Sequence, residues 1–414
     1  SLRHATETNN RKSYFSSEYA NDPTRKPKLT ITYYIDPLGQ EEFWTTAATN
    51  VNTYNGNFFL PETDVNISGR GIPAEVTRAY NSRSTESGLF GNGWTSNLEQ
   101  RIVDNGHGPL MYIDEDGTTH TFIPNGDGTY AAPPGKHLEL RKLSGGTYRM
   151  EDTDQIVYRF NTSGRLTSIT DSNGNRTSIS YTSGNPTRIT DASGRIITLS
   201  VNGDNRVTQV TDPANRTVAY TYDAAGNLKT VTKKDAAGNP LSTVTYGYDT
   251  SKRMTSVTDA NGIERSITYD GDNRVQSLAQ PLTVDGEVKT ATTSFQYNAT
   301  HGTTTVTNPK GTKTVYTHNE YGNVTQITKD PNGLNVTESF VYNDKNELIS
   351  QKDANANANN SDATYRYTYD DNGNLTSVTN PLNETATTEY DENNNPVKET
   401  DPKGNTTLHE YDDA

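Results

Sequence analysis

The chain has no cysteine in 414 residues, which excludes a disulfide framework and thiolate chemistry but fixes no redox compartment. Long apolar runs are missing as well. No stretch approaches the roughly 18 consecutive apolar residues of a membrane-spanning helix, and the opening SLRHATETNN has neither a basic n-region nor an apolar h-region. Starting at Ser1 and stopping in mid-pattern at Ala414, the sequence reads as a piece of a longer protein, with any export signal outside it. Positive charge is in deficit: 37 Lys and Arg against 51 Asp and Glu give −14 and a pI near 5.0, which argues against a nucleic-acid footprint. The imbalance is concentrated in residues 370–414, where 11 acidic residues face only Lys398 and Lys403. Leu, Ile, Val and Phe together make up about 17% of the chain, a level that signals disorder when net charge is high. Here the net charge is only about −0.03 per residue, and 25 Tyr and about 64 Thr supply the aromatic and β-branched side chains that suit a pleated, half-buried surface. An all-β protein with thin Tyr- and Thr-rich layers follows.

From about Phe160 one phrase recurs, clearest in TVAYTYDAAGNLKTVT (217–232) and YRYTYDDNGNLTSVTNP (365–381). Its anchor falls at Tyr181, Val201, Tyr222, Tyr248, Tyr269, Tyr297, His318, Tyr342, Tyr369, Tyr390 and Tyr411, most often in steps of 20 or 21. A period of this length marks stacked repeats. Two turn phrases occur per period. One is Asp223 to Gly226 with Asn227, or Asp370 to Gly373 with Asn374; the other includes Asp171 to Gly174, Asp191 to Gly194, Asp235 to Gly238, Asp259 to Gly262, Asp330 to Gly333 and Asp401 to Gly404, with Asn308 to Gly311 as a variant. Asp or Asn at i with Gly at i+3 is type I turn chemistry, and positive φ is expected at Gly226 and Gly373. Each repeat is therefore one antiparallel hairpin of two strands of about five residues, with Tyr220 and Tyr222 on one face, where rings of neighbouring hairpins are expected to stack. In the second strand the apolar residues lie three apart, as in Leu228 and Val231 or Leu375 and Val378. Either a bulge realigns them or both faces are covered. Helix is not expected among so many Thr and Gly residues.

About 12 repeats give about 24 strands, or a run of about 115 Å at roughly 4.8 Å per strand. A sheet that long must coil or close. The expected fold is a spiralling ribbon of antiparallel hairpins with a concave inner surface, about 37 Å across for one circuit and open rather than sealed. Residues 35–150 differ: they hold both Trp residues, Trp44 and Trp94, turn signals such as Asn92-Gly93, Asp116-Gly117 and Asn125-Gly126, and strand-like runs at Glu75–Tyr80 and His120–Ile123. They are read as a β cap sealing the first edge of the ribbon, with 1–34 as the tail of an upstream module and 151–414 as the repeats.

The Tyr-Asp dipeptides Tyr222-Asp223, Tyr248-Asp249, Tyr269-Asp270, Tyr369-Asp370, Tyr390-Asp391 and Tyr411-Asp412 resemble those of the Rhs and YD-repeat superfamily. Residues 56–102 resemble the domain that precedes the repeats in that family: Arg78-Ala79-Tyr80-Asn81-Ser82 and Phe90-Gly91-Asn92-Gly93-Trp94 match its R-x-Y-N-S and F-G-x-G-W phrases. KPKLTITYY (26–34) is similar to the last strand of carbohydrate-binding β-sandwich modules found upstream in Gram-positive wall-associated proteins, and the combination most resembles the wall-associated protein A group. The resemblance implies a secreted, cell-wall-associated polymorphic toxin used in contact-dependent inhibition. Its repeats would form a hollow shell around or before a C-terminal toxin, often a nuclease, and its partners would be the core and toxin segments of the same parent chain and an immunity protein. The core segment and the toxin are absent from these 414 residues.

Residues for chemistry are sparse. His4, His107, His120, His137, His301, His318 and His409 are scattered, with no zinc spacing, and Asp114-Glu115-Asp116-Gly117 lacks the remaining ligands of a calcium loop and reads as a hairpin turn. There is no nucleophile elbow and no phosphate loop. The repeated Asp residues are too many and too alike to be a tuned pair. No catalytic residue, metal or cofactor is assigned, and no nucleic-acid or membrane partner. A structural container is the first reading; a glycan-binding adhesion module with exposed Tyr is the second. A parallel β-helix lyase is the fold-level rival.

Overall fold

The computed structural model describes residues 38–411 other than 42, 107 and 360; segment 1–34 with its expected strand at 26–34, His107 and Asp412 lie outside the described residues. These residues form thirty-six strands and one short helix, Ala354–Ala358, which is capped by the Asp353 carboxylate. That single turn departs from the helix-free expectation. It sits in an Ala- and Asn-rich insertion between two hairpins, where no ladder partner competes for the backbone.

The hairpin Thr217–Tyr222 with Leu228–Lys234 shows how a repeat is built. Val218 and Tyr220 point inward and are buried. The register runs Tyr220 to Val231, Thr221 to Thr230, then slips so that Tyr222 faces Leu228. Lys229 is the unpaired extra residue of a bulge, and the slip turns both Leu228 and Val231 inward, at 0% and 3% exposure. The same slip recurs at Tyr181, Val201, Tyr248, Tyr269, His318, Tyr342, Tyr369 and Tyr390, so a bulge is the answer to the three-residue spacing. In the turn, the Asp223 side chain accepts from the amides of Ala225 and Asn227, and Gly226 has φ +85°. Gly373 matches it at +84°. The turn at Asp330 is different: Asp330 and Asn335 carry the positive φ, and Gly333 does not.

From Arg101–Asp104 to Thr406–Leu408 every strand pairs antiparallel with the next in sequence, which excludes a parallel β-helix. The first eight strands, from Arg101–Asp104 to Leu166–Thr170, close into a ring, whereas beyond them, among the described residues, each strand pairs only with its neighbours in sequence, as in the open ribbon expected. The link is an antiparallel bridge between Arg101 and Arg165, with the Ile102 amide donating to the Gly164 carbonyl at 2.8 Å. The ring it closes is filled by its own apolar core, which includes Leu110, Phe122, Leu140, Met150, Phe160 and Leu166. The physical reason is that side chains of this size cover one another once the first hairpins curl, so no separate plug is needed there.

The ladder thus starts at 101, inside the 35–150 segment. Ahead of it, Phe59–Ile67, Ala74–Asn81 and Trp94–Ser96 form a separate three-stranded sheet. Its Phe58, Val76, Tyr80, Phe90 and Trp94 share one core with repeat residues from Ile189 to Val306. Farther along, the ribbon comes round to its own beginning. Gln155 Nε2 donates to the Asn393 carbonyl at 3.1 Å, and His137 lies 3.6 Å from Glu347. Between the loops of 125–155 and the turns at 371–394 lies an open polar cleft of about 580 Å³.

Candidate functional site: the seat of the N-terminal sheet

Ala74–Asn81 is buried along nearly its whole length, and its alternation sends Arg78 and Tyr80 toward the repeats. Arg78 is a buried cation. Its Nε donates to Asp64 Oδ2 at 2.7 Å, and Nη2 donates to Asp64 Oδ1 at 3.2 Å and to the Tyr246 hydroxyl at 3.1 Å. Tyr220 donates to the same Asp64 carboxylate at 2.8 Å. The guanidinium carbon lies 4.3 Å from the Trp94 ring centroid, in cation–π range. Burial alone works against the charge on Arg78; Asp64, then the Tyr246 and Tyr220 hydroxyls, outweigh it and raise the pKa. Two elements of the N-terminal sheet and two repeat hairpins therefore meet at one ion pair.

Around it the rings interlock across the boundary. Trp94 packs against Tyr246 at 5.3 Å and Phe90 against Tyr220 at 5.0 Å, while Tyr80 lies between Trp94 and Tyr248. Each polar tip finds a partner: the Trp94 indole donates to the Tyr248 hydroxyl at 3.0 Å, and the Met254 amide donates to the Tyr80 hydroxyl at 2.7 Å. The F-G-x-G-W loop meets a repeat turn directly. The Asn92 amide donates to the Gly226 carbonyl at 3.3 Å, and Asn92 Nδ2 donates to Ala225 O and Asn227 Oδ1. A Cβ on Gly91 would lie 2.5 Å from the Gly226 oxygen, and one on Gly93 would lie 2.6 Å from the Tyr80 ring; both have positive φ. Asn81 accepts from the Gly39 amide and Asn57 Nδ2, and donates to the Asp116 carbonyl. His318, at a repeat anchor where Tyr is usual, meets Thr53 Oγ1 at 3.0 Å.

The structure therefore brings Arg78, Tyr80, Phe90, Gly91, Gly93 and Trp94 together with Tyr222, Gly226, Asn227 and Tyr248. It leaves Tyr369, Asp370, Gly373, Asn374, Tyr390, Asp391 and Tyr411 in hairpins away from this seat, with Asp249 and Asp270 in turns where they pair with Arg253 and Arg274. The anchor tyrosines do not hold the hairpins by ring-on-ring stacking, as expected from sequence. The hydroxyl reaches back to a carbonyl of the preceding hairpin, Tyr222 to Val207, Tyr269 to Met254, Tyr390 to Leu375 and Tyr411 to Pro396, at 2.6–3.0 Å. An Arg of the preceding turn covers several of the rings, as Arg253 covers Tyr269 at 4.7 Å. Equivalent tyrosines of adjacent hairpins are separated by a whole strand, about 9–10 Å, beyond the roughly 4.5–7 Å of an aromatic pair, so each ring instead sends its hydroxyl to a carbonyl.

A second buried cluster was not legible in the sequence. Asp114 through Gly117 is a hairpin turn, but His120 Nε2 sits 2.7 Å from Asp114 Oδ2, and Glu41 from the entering segment lies 3.5 Å from His120 Nδ1 and 2.8 Å from Lys136 Nζ. Asp116 accepts from the Gln40 and Thr118 amides. Burial, then the neighbouring Asp114, push Asp116 up to about 7, and burial pushes His120 down to about 4. Only the spacing of Asp114, Asp116 and His120 hinted at it. Among the described residues no group of three or more His, Asp or Glu is arranged to hold a metal ion.

Comparison with known proteins matches two family models. One, "Domain of unknown function (DUF6531)", matches residues 48–122, and "RHS Repeat" matches 160–196, 202–240, 297–334, 342–385 and 369–407. The chain is 35% identical over 353 residues to "tRNA3(Ser)-specific nuclease WapA" of Bacillus spizizenii and to "tRNA nuclease WapA" of Bacillus subtilis (strain 168), covering 84% of this chain and 15% of each relative. It thus spans only a small part of those proteins. The crystal structure of TcdB2-TccC3-Cdc42 aligns with 72% of this chain and 19% of that one, at 14% identity and a TM-score of 0.44.

Proposed function

The chain is an RHS-repeat protein similar to WapA, and on that premise we propose that it is shell wall and cap from a secreted, cell-wall-associated polymorphic toxin: a scaffold, with the chemistry elsewhere in the parent. One observation carries this reading. The residues that match the family phrases are spent on seating the N-terminal sheet against the repeats: Arg78 Nε and Nη2, the Trp94 indole, the Tyr80 hydroxyl and Asn92 Nδ2 all find their partners within that seat. The N-terminal sheet ahead of residue 101 acts as the cap and the ladder from 101 onward as the wall. The parent continues into a core and a C-terminal toxin, a tRNA nuclease by analogy with the WapA relatives, delivered on contact and neutralised in the producer by an immunity protein.

The test is to incubate this chain and the full-length parent, side by side, with tRNA, DNA, peptidoglycan and casein, with and without divalent metal. The expected result is cleavage by the parent alone. Metal-dependent turnover by this chain, abolished by changing one Asp or His, would overturn the scaffold reading.

A further inference from the structure

One hairpin does not end where its neighbours do. Val275–Val284 and Glu287–Asn298 are ten and twelve residues long, against five to seven for most repeat strands. The preceding strand pairs with it only as far as Ala279, and the following strand only from Ser294. From Gln280 to Thr290 the arm projects alone, and every residue on it is exposed. Leu282 is 51% and Val288 74% accessible. An isolated two-stranded ribbon with free edges is marginal in water and is a template for another strand.

The two edges are not equivalent. Asp285 and Gly286, at φ +52° and +81°, form a two-residue loop that pairs Val284 with Glu287. The alternation of an antiparallel ladder then makes Val284 with Glu287 a hydrogen-bonded pair, and Thr283 with Val288 a non-hydrogen-bonded one. Two residues on, Pro281 pairs with Thr290, so its nitrogen faces outward and the edge of that strand lacks a donor. On the other strand Val288 presents both its N–H and its C=O outward, unblocked. Its neighbours are Glu287 and Lys289, which in one chain meet only each other, at 3.8 Å and mostly exposed.

We propose that this edge is a self-pairing surface: two copies of the chain associate through residues 287–289, antiparallel about Val288. In that register Val288 exchanges two backbone hydrogen bonds with its own copy, and Glu287 of each chain stands opposite Lys289 of the other. The sequence is complementary to itself only with Val288 at the centre, since centring on Lys289 would oppose two ammonium groups. A contact of this size is weak and suits transient association or the avidity of many copies on one surface.

The experiment is sedimentation of the purified chain at about 100 μM, where contacts of this class populate. Wild type should dimerise. Val288→Pro, Glu287→Lys and Lys289→Glu should each weaken dimerisation by about ten-fold or more. An equimolar mixture of the two charge variants should recover it, because each then supplies the sign the other lacks. Unchanged far-ultraviolet circular dichroism and thermal midpoint would show the fold intact, as expected for an arm without neighbours. A wild-type monomer at that concentration overturns the proposal, as does a dimer indifferent to all three substitutions or variants that the mixture does not rescue.

Discussion

Gly226 and Gly373 are each held by two constraints. Their φ values lie in the left-handed region, and a Cβ would lie 2.2 Å from the Arg206 guanidinium at the first and 2.1 Å from the His137 ring at the second. Replacing either with Val should cost at least about 1 kcal/mol more than replacing the strand residue Thr230 with Val; equal urea midpoints would remove the turn assignment. Arg78 and Asp64 form a buried pair whose loss leaves a lone charge. Arg78→Met or Asp64→Leu alone should cost about 3–5 kcal/mol, and the double variant much less than their sum. Additive costs in a denaturation cycle would mean that the two do not act as a pair. Asp116 and His120 carry opposite pH dependences. Asp116 is raised from 3.8 to about 7, so its contribution to stability is complete below about pH 4 and is lost as pH rises through 7. His120 is lowered from 6.5 to about 4, so its contribution is complete above about 6.5 and is lost as pH falls through 4. The slopes offset one another in the native chain. Asp116→Asn should leave stability falling from pH 7 to 4, and His120→Gln should leave it falling from pH 4 to 7, each by on the order of 2 kcal/mol. Urea midpoints measured across that range that run parallel in both variants would refute the assignment.

A hairpin is the unit, and its neighbours decide what each position is worth. Leu228 with Val231 and Leu375 with Val378 occupy the same places in the same phrase with the same bulge. Leu228 is fully buried beneath the N-terminal sheet, whereas Leu375 is 36% exposed. Leu228→Ala should therefore cost about 2–5 kcal/mol, and Leu375→Ala under about 1 kcal/mol. Similar losses in thermal or urea unfolding would mean that the late hairpins are covered in solution. Adjacent turns are also joined side to side: Asn185 donates to Asn205, Arg253 to Asn273, Asn323 to Asn346 and Asn374 to Asn394. The acceptor is each time an Asn in the left-handed region, which explains why Asn replaces Gly in those turns.

At the scale of the molecule, the acid of 370–414 is mostly on the rim. Asp370, Asp371, Asp391, Glu392 and Asp401 lie in turns, Glu389 pairs outward with Lys398, and Glu399 shares a face with Thr388. Glu399, opposite Thr388, takes the inward place that Val231 holds opposite Tyr220, so one carboxylate of the last hairpins stands on the concave face, while part of the acidic rim lines the cleft opposite Glu139, Glu151 and Asp152. Like charges on both walls of that cleft should make the junction between the end of the ribbon and its beginning sensitive to ionic strength. Limited proteolysis near residues 371–394 should slow as salt is raised from about 20 to 300 mM; a rate indifferent to salt would show that charge does not govern the junction.

The sequence by itself determined the hairpin, its period, both turns and the inward face, because each rests on interactions within about 20 residues: Asp capping its own turn, Gly or Asn supplying positive φ, and a two-residue alternation broken by one bulge. It also singled out Arg78, Tyr80 and the F-G-x-G-W loop, though not what they touch. Only the tertiary structure decided that the ladder begins at 101 and closes at Arg165, that the anchor tyrosines bind carbonyls of the previous hairpin, and that Asp114, Asp116, His120 and Glu41 share one buried site. The ring closure spans 64 positions and Glu41 lies 79 from His120, while Arg78 reaches Tyr246 across 168 and Thr53 reaches His318 across 265. Local propensity carries no record of such distances. They are set by how far a twisted sheet turns before its apolar face meets something that covers it.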